Sequence, residues 1–255
     1  MRVPRRLAAW IGAASAAGVA CAHAVAPAPP GVERVVFVGD SLVSRSDKDH
    51  GLLRLVQGSL EREHPGVALD LVDAGNNGDC IRDILGRLAN DVLALRPAAV
   101  VLYWDSDAAD VEDAGESRQR SHALRSVYRR NLAAVLTELR EVTPNIVVAG
   151  PTLLGERPRG QNPKDHVLDA YEHINRRVAH AHHVTWVDTR RAAFAWLAEH
   201  GASPDRDSGS LTEDGEHLNA AGTELVAAEI ASALGRWLSG QAAVPPGPDE
   251  LPGPE

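Results

Sequence analysis

The sequence predicts an α/β fold in which one five-stranded parallel sheet lies between two layers of helices. Five short apolar runs alternate along the chain with longer segments that have the spacing of amphipathic helices. Strands separated by helices of this length need crossover connections, which go with parallel pairing. Because such crossovers are right-handed, the helices cover both faces of the sheet, which gives an open fold of three layers.

The predicted strands are short runs rich in Val, Leu and Ala, as expected for strands that are buried on both faces. They cover residues 35–38, 67–72, 98–103, 145–149 and 184–187. The first run ends at Gly39-Asp40, which is a turn signal. Functional groups of open parallel sheets gather where the carboxyl ends of the strands meet the following loops. These loops are therefore the expected place of a functional site.

The predicted helices fill the gaps between the strands. They cover residues 51–63, 81–95, 117–142, 167–182, 192–200 and 220–238. In the longest of them, apolar residues recur at the three-four spacing that places them on one helix face. These residues are Leu124, Val127, Leu132, Val135, Leu136 and Leu139. The longest connection without a clear assignment is 201–216.

Composition narrows the class of protein. The chain has 255 residues, of which 44% are hydrophobic, and this suits a single domain with a buried core. Its formal net charge is -9, whereas a nucleic-acid binder draws its affinity from clustered Lys and Arg, so we expect no nucleic-acid partner. Two cysteines can build neither a disulfide scaffold nor a four-cysteine zinc site.

The two ends of the chain differ from the region between them. Residues 1–26 combine an arginine-containing start, an uncharged Ala-rich stretch and small residues suited to cleavage, which predicts an export signal and a periplasmic or extracellular protein. Lipid attachment at Cys21 is the alternative, and the stretch is too weakly apolar for a stable membrane span. The domain then covers 32–240. Residues 241–255, rich in Pro, Gly and acids, are predicted to form a disordered tail.

Two distant segments carry residues suited to nucleophilic chemistry. Ser41 follows the first predicted strand in Gly39-Asp40-Ser41, and this tripeptide taken alone is more typical of a helix cap than of a nucleophile. Asp214 precedes His217 by three residues on a predicted turn, where the pair taken alone is typical of a solvated surface. Together they supply what a serine nucleophile needs, namely a base to take its proton and an acid to orient that base.

The two segments, in this order, resemble the SGNH or GDSL hydrolase superfamily over residues 35–237. The resemblance implies a flavodoxin-like fold with Ser41 as nucleophile, His217 as general base and acid, and Asp214 as the orienting acid. It further implies hydrolysis of a carboxylic ester through an acyl-enzyme, without metal or organic cofactor. The substrate would be a lipid, carbohydrate or small acyl ester, and nothing in the sequence gives the oligomeric state.

The same resemblance implies an oxyanion hole built from the N–H groups of Ser41 and Gly78. Its third motif is usually Gly-x-Asn-Asp, and the matching stretch here is 104–107, where Ser106 takes the place of the Asn. A serine hydroxyl can donate one hydrogen bond, so Ser106 is the candidate third donor. The alternatives are compensation by Asn77 or a low activity. Asp105 would oppose a developing negative charge unless it points away or is paired.

Other interpretations follow from the same sequence. An α/β-hydrolase elbow needs Gly-x-Ser-x-Gly, which fails because Val43 stands two residues after Ser41. A non-catalytic binding module on the same fold is the main alternative, because the third motif departs from the family pattern. The histidines around 166–183 suggest a solvated helix face more than a metal site. Cys80 is expected to be a packing residue, and 106–120 an exposed acidic loop without the ordered ligand spacing of a calcium site.

Overall fold

The computed structural model describes residues 28–44, 51–108, 118–201, 203 and 205–247. The predicted export signal lies outside these residues, as do most of the predicted acidic loop and the last part of the predicted tail. Among the described residues, no helix is both long enough and apolar enough to cross a membrane.

The sheet has the predicted five strands, all paired in parallel, in the order β2-β1-β3-β4-β5. The strands are β1 (Val32–Gly39), β2 (Ala68–Gly75), β3 (Ala99–Tyr103), β4 (Ile146–Ala149) and β5 (Thr185–Val187). Gly39 at the end of β1 is in register with Gly75 of β2 and with Tyr103 of β3. The carboxyl ends of the three strands therefore meet at one edge, and so do the loops that follow them.

The helices are α1 (Ser41–Ser44), α2 (Leu52–Glu63), α3 (Ile81–Asp91), α4 (Arg118–Arg140), α5 (Asp165–Ala181), α6 (Thr189–His200) and α7 (Ala220–Leu238), with a 3₁₀ turn at Leu93–Leu95. Capping side chains fix the starts of α6 and α7. The Asp188 carboxylate accepts from the N–H of Arg191, and the Asn219 side chain accepts from the N–H of Gly222. The cap at Asp188 starts α6 three residues before its predicted start.

Two apolar clusters lie on opposite faces of the sheet, because successive strand residues point to opposite faces. Val36 and Val38 of β1 pack in a cluster that includes residues of α3, α4 and α5. Val35 and Phe37 pack in the other, which includes residues of α2 and α7. The three-layer α/β arrangement predicted from the sequence is confirmed.

Residues 241–247 depart from the predicted disordered tail. Their backbone runs beside the edge strand β5, where the N–H of Trp186 donates to the carbonyl of Val244 over 3.0 Å. The N–H of Val244 donates to the hydroxyl of Thr185, and Nδ1 of His180 donates to the carbonyl of Pro246. An edge strand has backbone N–H and C=O groups without partners in the sheet, and this segment provides a partner for one of these groups, the N–H of Trp186. Composition misses this because the anchoring groups belong to β5 and α5.

Ending the chain at residue 240 should lower the thermal midpoint by at least about 4 °C. The change removes these three hydrogen bonds and a fourth, from the N–H of Gln241 to the carbonyl of Arg236. Each is worth about 0.5–1.5 kcal/mol, and a kcal/mol corresponds to roughly 2–4 °C in a domain of this size. Thermal unfolding followed by circular dichroism measures the shift. The control is the chain that ends at residue 247, which retains the contacts and should keep the full midpoint. Equal midpoints for both shortened chains would show that the segment does not stabilise the sheet edge.

Candidate active site

The site lies at the carboxyl edge of the sheet, where β1 and β3 come unusually close. A Cβ atom added to Gly39 would stand 1.8 Å from the carbonyl oxygen of Tyr103 and 2.9 Å from a side-chain carbon of Val43. Only glycine fits where backbone approaches backbone so closely. This contact sets the distance between the loop that carries Ser41 and the loop that follows β3.

Asp40 joins these two loops through its buried carboxylate. Its Oδ1 accepts from the N–H of Leu42, and its Oδ2 accepts from the N–H groups of Asp105 and Ser106 and from the Ser106 hydroxyl, over 2.7–3.0 Å. Four donors fix this carboxylate and with it the turn that presents Ser41 at the start of α1. The sequence shows Asp40 inside the motif, but its partners stand 65 and 66 residues further along the chain.

Asp214 and His217 are held by one turn, as the sequence predicts. Oδ1 of Asp214 accepts from the N–H of His217 over 2.8 Å and from the N–H of Glu216 over 3.1 Å. Oδ2 lies 2.7 Å from Nδ1 of the His217 ring. Because a carboxylate only accepts hydrogen bonds, this contact places a proton on Nδ1 and leaves Nε2 as the acceptor.

Ser41 and His217 meet although 176 residues separate them in the chain. The Oγ atom of Ser41 lies 3.2 Å from Nε2 of His217, which is the acceptor nitrogen of the ring. Hydroxyl, imidazole and carboxylate therefore form a continuous hydrogen-bonded chain. An arrangement of this kind can pass the hydroxyl proton to the ring while the carboxylate stabilises the resulting imidazolium.

The charge on Asp214 suits this task. Partial burial raises the pKa of its carboxyl, but hydrogen bonds from the ring and backbone of His217 and from the Glu216 backbone outweigh that effect and lower the pKa to about 2. Hydrogen bonds of this kind favour the charged form of an acid. The carboxylate therefore stays negative throughout the pH range in which a histidine titrates.

The two backbone donors implied by the resemblance, the N–H groups of Ser41 and Gly78, donate no hydrogen bond within the described part of the chain. Among the described residues, no acceptor lies in hydrogen-bonding geometry with the N–H of Ser41 or of Gly78. Gly78 has a φ angle of +75°, a left-handed conformation that glycine adopts without strain. Neighbouring N–H groups are used: that of Asn76 donates to the carbonyl of Gly39, and that of Asp79 to the carbonyl of Asn76.

Arg87 on α3 holds the Gly78 loop against β1. Its Nε donates to the carboxylate of Asp79 over 2.5 Å, and its NH2 group donates to the carbonyl of Gly39 over 3.2 Å. Asn76 also donates to Asp79, over 2.6 Å. Arg87 was not predicted, because an arginine on an amphipathic helix gives no signal that it reaches a strand end 48 residues away.

The Ser106 hydroxyl already donates a hydrogen bond to another side chain of the protein. It donates to Oδ2 of Asp40 over 2.7 Å, and a hydroxyl has only one proton to donate. In this arrangement Ser106 helps to join the β1 and β3 loops. Its predicted use as an oxyanion donor requires that bond to break and stays a prediction. Of the predicted alternative, Asn77, the side-chain carbonyl accepts from the hydroxyl of Ser44.

Asp105 is buried, with 3% of its surface exposed, and neither of its oxygens has a hydrogen-bond partner within the described part of the chain. Burial, and after it the negative charges of Asp40, Glu216 and Asp214, raises the pKa of Asp105 well above its usual range. Both effects favour the neutral form of this acid. A neutral carboxyl does not oppose the negative charge that was the concern raised by the sequence.

The remaining candidates are not members of the hydrogen-bonded chain from Ser41 to Asp214. Among the residues that the structure describes, no three His, Cys, Asp or Glu side chains converge as metal ligands would. The Cys80 thiol donates to Asp83 over 2.9 Å. Burial, followed by this hydrogen bond, raises the pKa of the thiol, which disfavours the nucleophilic thiolate.

Solved structures of esterases share this fold. An acetyl xylan esterase, AlAXEase, is 26% identical with a TM-score of 0.70 and covers 79% of this chain and 99% of its own. Axe2, an acetylxylan esterase from Geobacillus stearothermophilus, is 22% identical with a TM-score of 0.67 and covers 78% of this chain and 93% of its own. By sequence, an acetylxylan esterase of that organism is 22% identical over 176 residues, which make up 63% of this chain and 77% of the relative.

These relatives and the fold define the class: the protein is a hydrolase that acts on ester bonds. The family model for the GDSL-like Lipase/Acylhydrolase family matches residues 37–225. The chain belongs to that family, and the resemblance to SGNH or GDSL hydrolases drawn from the sequence is confirmed.

Proposed function

We propose that the protein is a serine esterase in which Ser41, His217 and Asp214 form the catalytic triad. The observation that carries this proposal is the continuous hydrogen-bonded chain from the Ser41 hydroxyl through the His217 ring to the Asp214 carboxylate. Its three members come from two distant loops that meet at the carboxyl edge of the sheet. Side chains in this geometry need no metal or organic cofactor for acyl transfer.

In the proposed mechanism, Nε2 of His217 takes the proton of Ser41 as Oγ attacks the ester carbonyl carbon. The negatively charged Asp214 stabilises the imidazolium that forms. The imidazolium then gives its proton to the leaving alcohol, which breaks the ester bond and leaves an acyl-enzyme. Water, deprotonated by the same ring, attacks the acyl carbonyl carbon. The imidazolium then returns this proton to Oγ of Ser41 as the bond between the acyl group and Oγ breaks, which releases the acid.

The oxyanion of each tetrahedral intermediate would be held by the N–H groups of Ser41 and Gly78. Both groups are without an acceptor among the described residues, and each sits in a loop fixed by buried polar contacts. Donors that are preorganised in this way stabilise the developing charge without rearranging during the reaction. The fixed position of the two loops therefore supports this role.

For the substrate we propose short acyl esters of carbohydrates, acetyl esters above all. The support is the likeness to acetyl xylan esterases, one of which is 26% identical over most of its length. We also propose that the protein is exported and acts outside the cytoplasm, because residues 1–26 have the pattern of an export signal. Polymeric carbohydrate esters would be accessible there.

A panel of esters tests the function. With 4-nitrophenyl acetate, butyrate, octanoate and acetylated xylo-oligosaccharides, we expect kcat/KM to be highest for the acetyl esters. A serine-directed fluorophosphonate should label the wild type, while the Ser41→Ala variant should neither be labelled nor hydrolyse any ester above about 10⁻⁴ of the wild-type kcat. Ser232→Ala, at an exposed position on α7, is the matched control and should behave as the wild type.

Two outcomes would contradict the proposal at different levels. Equal hydrolysis by wild type and Ser41→Ala would favour a non-catalytic binding module over an esterase. A kcat/KM that is highest for octanoate would retain the triad and overturn the proposed substrate class.

A further inference from the structure

The loop that carries Asp214 and His217 is bound to a single buried carboxylate that takes no part in the mechanism above. This carboxylate belongs to Glu156, in the loop after β4, and only 1% of its surface is exposed. Its Oε1 accepts from the N–H groups of Leu211 and Thr212 and from the Thr212 hydroxyl, over 2.6–2.8 Å. Its Oε2 accepts from the N–H of Ser210 over 2.8 Å. Four donors from three consecutive residues therefore converge on one acid.

Backbone contacts join the same two loops on either side of this carboxylate. The N–H of Gly155 donates to the carbonyl of Gly215 over 2.6 Å, and the N–H of Glu156 donates to the carbonyl of Asp207 over 3.0 Å. The guanidinium of Arg157 forms a two-point ion pair with the Asp207 carboxylate over 2.7 and 2.9 Å. Residues 155–157, in the loop after β4, thus bind the 207–215 segment at several points, and Glu156 is the buried residue among them.

A short path of hydrogen bonds connects Glu156 to the residues of the relay. The Thr212 hydroxyl donates to Glu156 and accepts from the N–H of Gly215, the residue after Asp214, over 3.1 Å. Thr212 also pairs with Leu218, the residue after His217, in an antiparallel bridge. Inside this closed turn, the N–H of Glu213 donates to the carbonyl of His217 over 2.7 Å. The two ends of the turn are therefore fixed by the residue that Glu156 binds.

The charge of Glu156 strengthens these bonds. Burial raises the pKa of its carboxyl, but the hydrogen bonds from Thr212, Leu211 and Ser210 outweigh burial and lower the pKa below its usual value. Glu156 is therefore ionised near neutral pH. Hydrogen bonds to an ionised acceptor are roughly twice as strong as those between neutral groups.

We propose that Glu156 is a positioning residue for the esterase: it fixes the turn that holds Asp214 and His217 so that Nε2 stays within hydrogen-bonding distance of Ser41. This inference rests on the proposed triad and extends it to a residue that does not touch substrate. A displacement of about 1 Å in a reacting group can lower a rate by about 10²-fold. Loss of Glu156 should therefore appear in kcat more than in KM.

The test compares kcat, KM and thermal midpoint for Glu156→Gln and Thr212→Val at a temperature well below every midpoint. We expect kcat to fall about 10-fold to 10²-fold in Glu156→Gln, where a neutral amide faces donors, and about 10-fold in Thr212→Val. KM for 4-nitrophenyl acetate should change less than about threefold, because the contacts of the bound ester are kept. Phosphonylation of Ser41 by a fluorophosphonate should slow by the same factor as kcat.

A matched control separates positioning from general destabilisation. Asp70 on β2 pairs with the buried Arg34 over 2.7 Å, in the amino-terminal part of the sheet and away from the relay. Asp70→Asn should lower the midpoint as the Glu156 variants do and should leave kcat unchanged. If Glu156→Gln does not fold, Thr212→Val tests the proposal by itself, because it removes one hydroxyl and leaves three backbone donors on Glu156.

Wild-type kcat in the folded Glu156→Gln and Thr212→Val variants would overturn this inference, as would a loss of kcat in Asp70→Asn of the same size. Failure of the proposed function gives a different result, because Ser41→Ala would then retain activity whatever the Glu156 variants do.

Discussion

Replacing His217 by alanine should lower kcat for an acetyl ester by at least about 10⁴-fold while the protein stays folded. The imidazole is the acceptor for the Ser41 proton, and removal of the histidine from comparable triads costs this much or more. The free energy of unfolding should change by less than about 1 kcal/mol, because the ring is partly exposed and lies outside both large apolar clusters. Steady-state kinetics and urea unfolding of the same preparation measure both quantities.

His200→Ala is the control for this change. His200 ends α6, is exposed and stacks on Trp196 with ring centroids 3.9 Å apart, away from the relay in sequence and contacts. Its removal should leave kcat within about twofold of the wild type. A His217→Ala variant that keeps a tenth of the wild-type kcat would exclude this ring as the base.

The same relay predicts how the wild-type rate depends on pH. Acidification should lower kcat/KM, because a protonated imidazole cannot accept the Ser41 proton. Since the pKa of Asp214 is about 2, its carboxylate stays charged while this loss occurs. A rate that is constant from pH 5 to pH 8 would contradict the proposed base.

The second large effect concerns stability. Asp105→Asn should stabilise the protein, and the gain should grow with pH. Burial and the neighbouring negative charges raise the pKa of Asp105 in the folded state above that in the unfolded chain. The contribution of a group with a raised pKa is fully present below the unfolded pKa and is lost as the pH rises towards the folded value. The loss follows a slope of up to about 1.4 kcal/mol per pH unit in that window.

Urea unfolding of the wild type and Asp105→Asn at pH 4, 6 and 8 measures the free energy of unfolding of each. The contributions of the other titrating groups cancel when the two free energies are subtracted. The variant should be only slightly more stable than the wild type at pH 4 and clearly more stable at pH 8. Asp205→Asn, at an exposed position, controls for the removal of one negative charge. A difference that does not change with pH would show that Asp105 is ionised in the folded protein.

Much of the fold could be predicted because it depends on local patterns. The run 35–38 marks β1 through continuous burial, and the three-four spacing from Leu124 to Leu139 marks α4. The errors are small and lie at ends, as at α6, where the Asp188 cap precedes the apolar pattern. The larger departure is 241–247, whose composition resembles a free tail but whose Val244 carbonyl accepts a hydrogen bond from the N–H of Trp186 in β5.

The relay members were predictable because each stands in a short motif whose residue types suit one chemistry. Supporting residues have no such motif. Glu156 is one acid in a polar loop until its partners, 54 to 56 residues away, are brought to it. The place of Ser106 in a motif predicts an oxyanion donor, whereas in the structure its hydroxyl donates to the carboxylate of Asp40, 66 residues earlier.

By itself the sequence determined the order of strands and helices, the family, and the identity of Ser41, Asp214 and His217 as candidates. The periodicity of apolar residues and the residue types of turns depend on residues close together in the chain, so the sequence alone predicts them. Only the tertiary structure decided that Asp40 joins two loops, that Asp105 is buried, and that Glu156 binds the His217 loop. A hydrogen bond is directional and acts over about 3 Å, so its partners are known only when the loops have met.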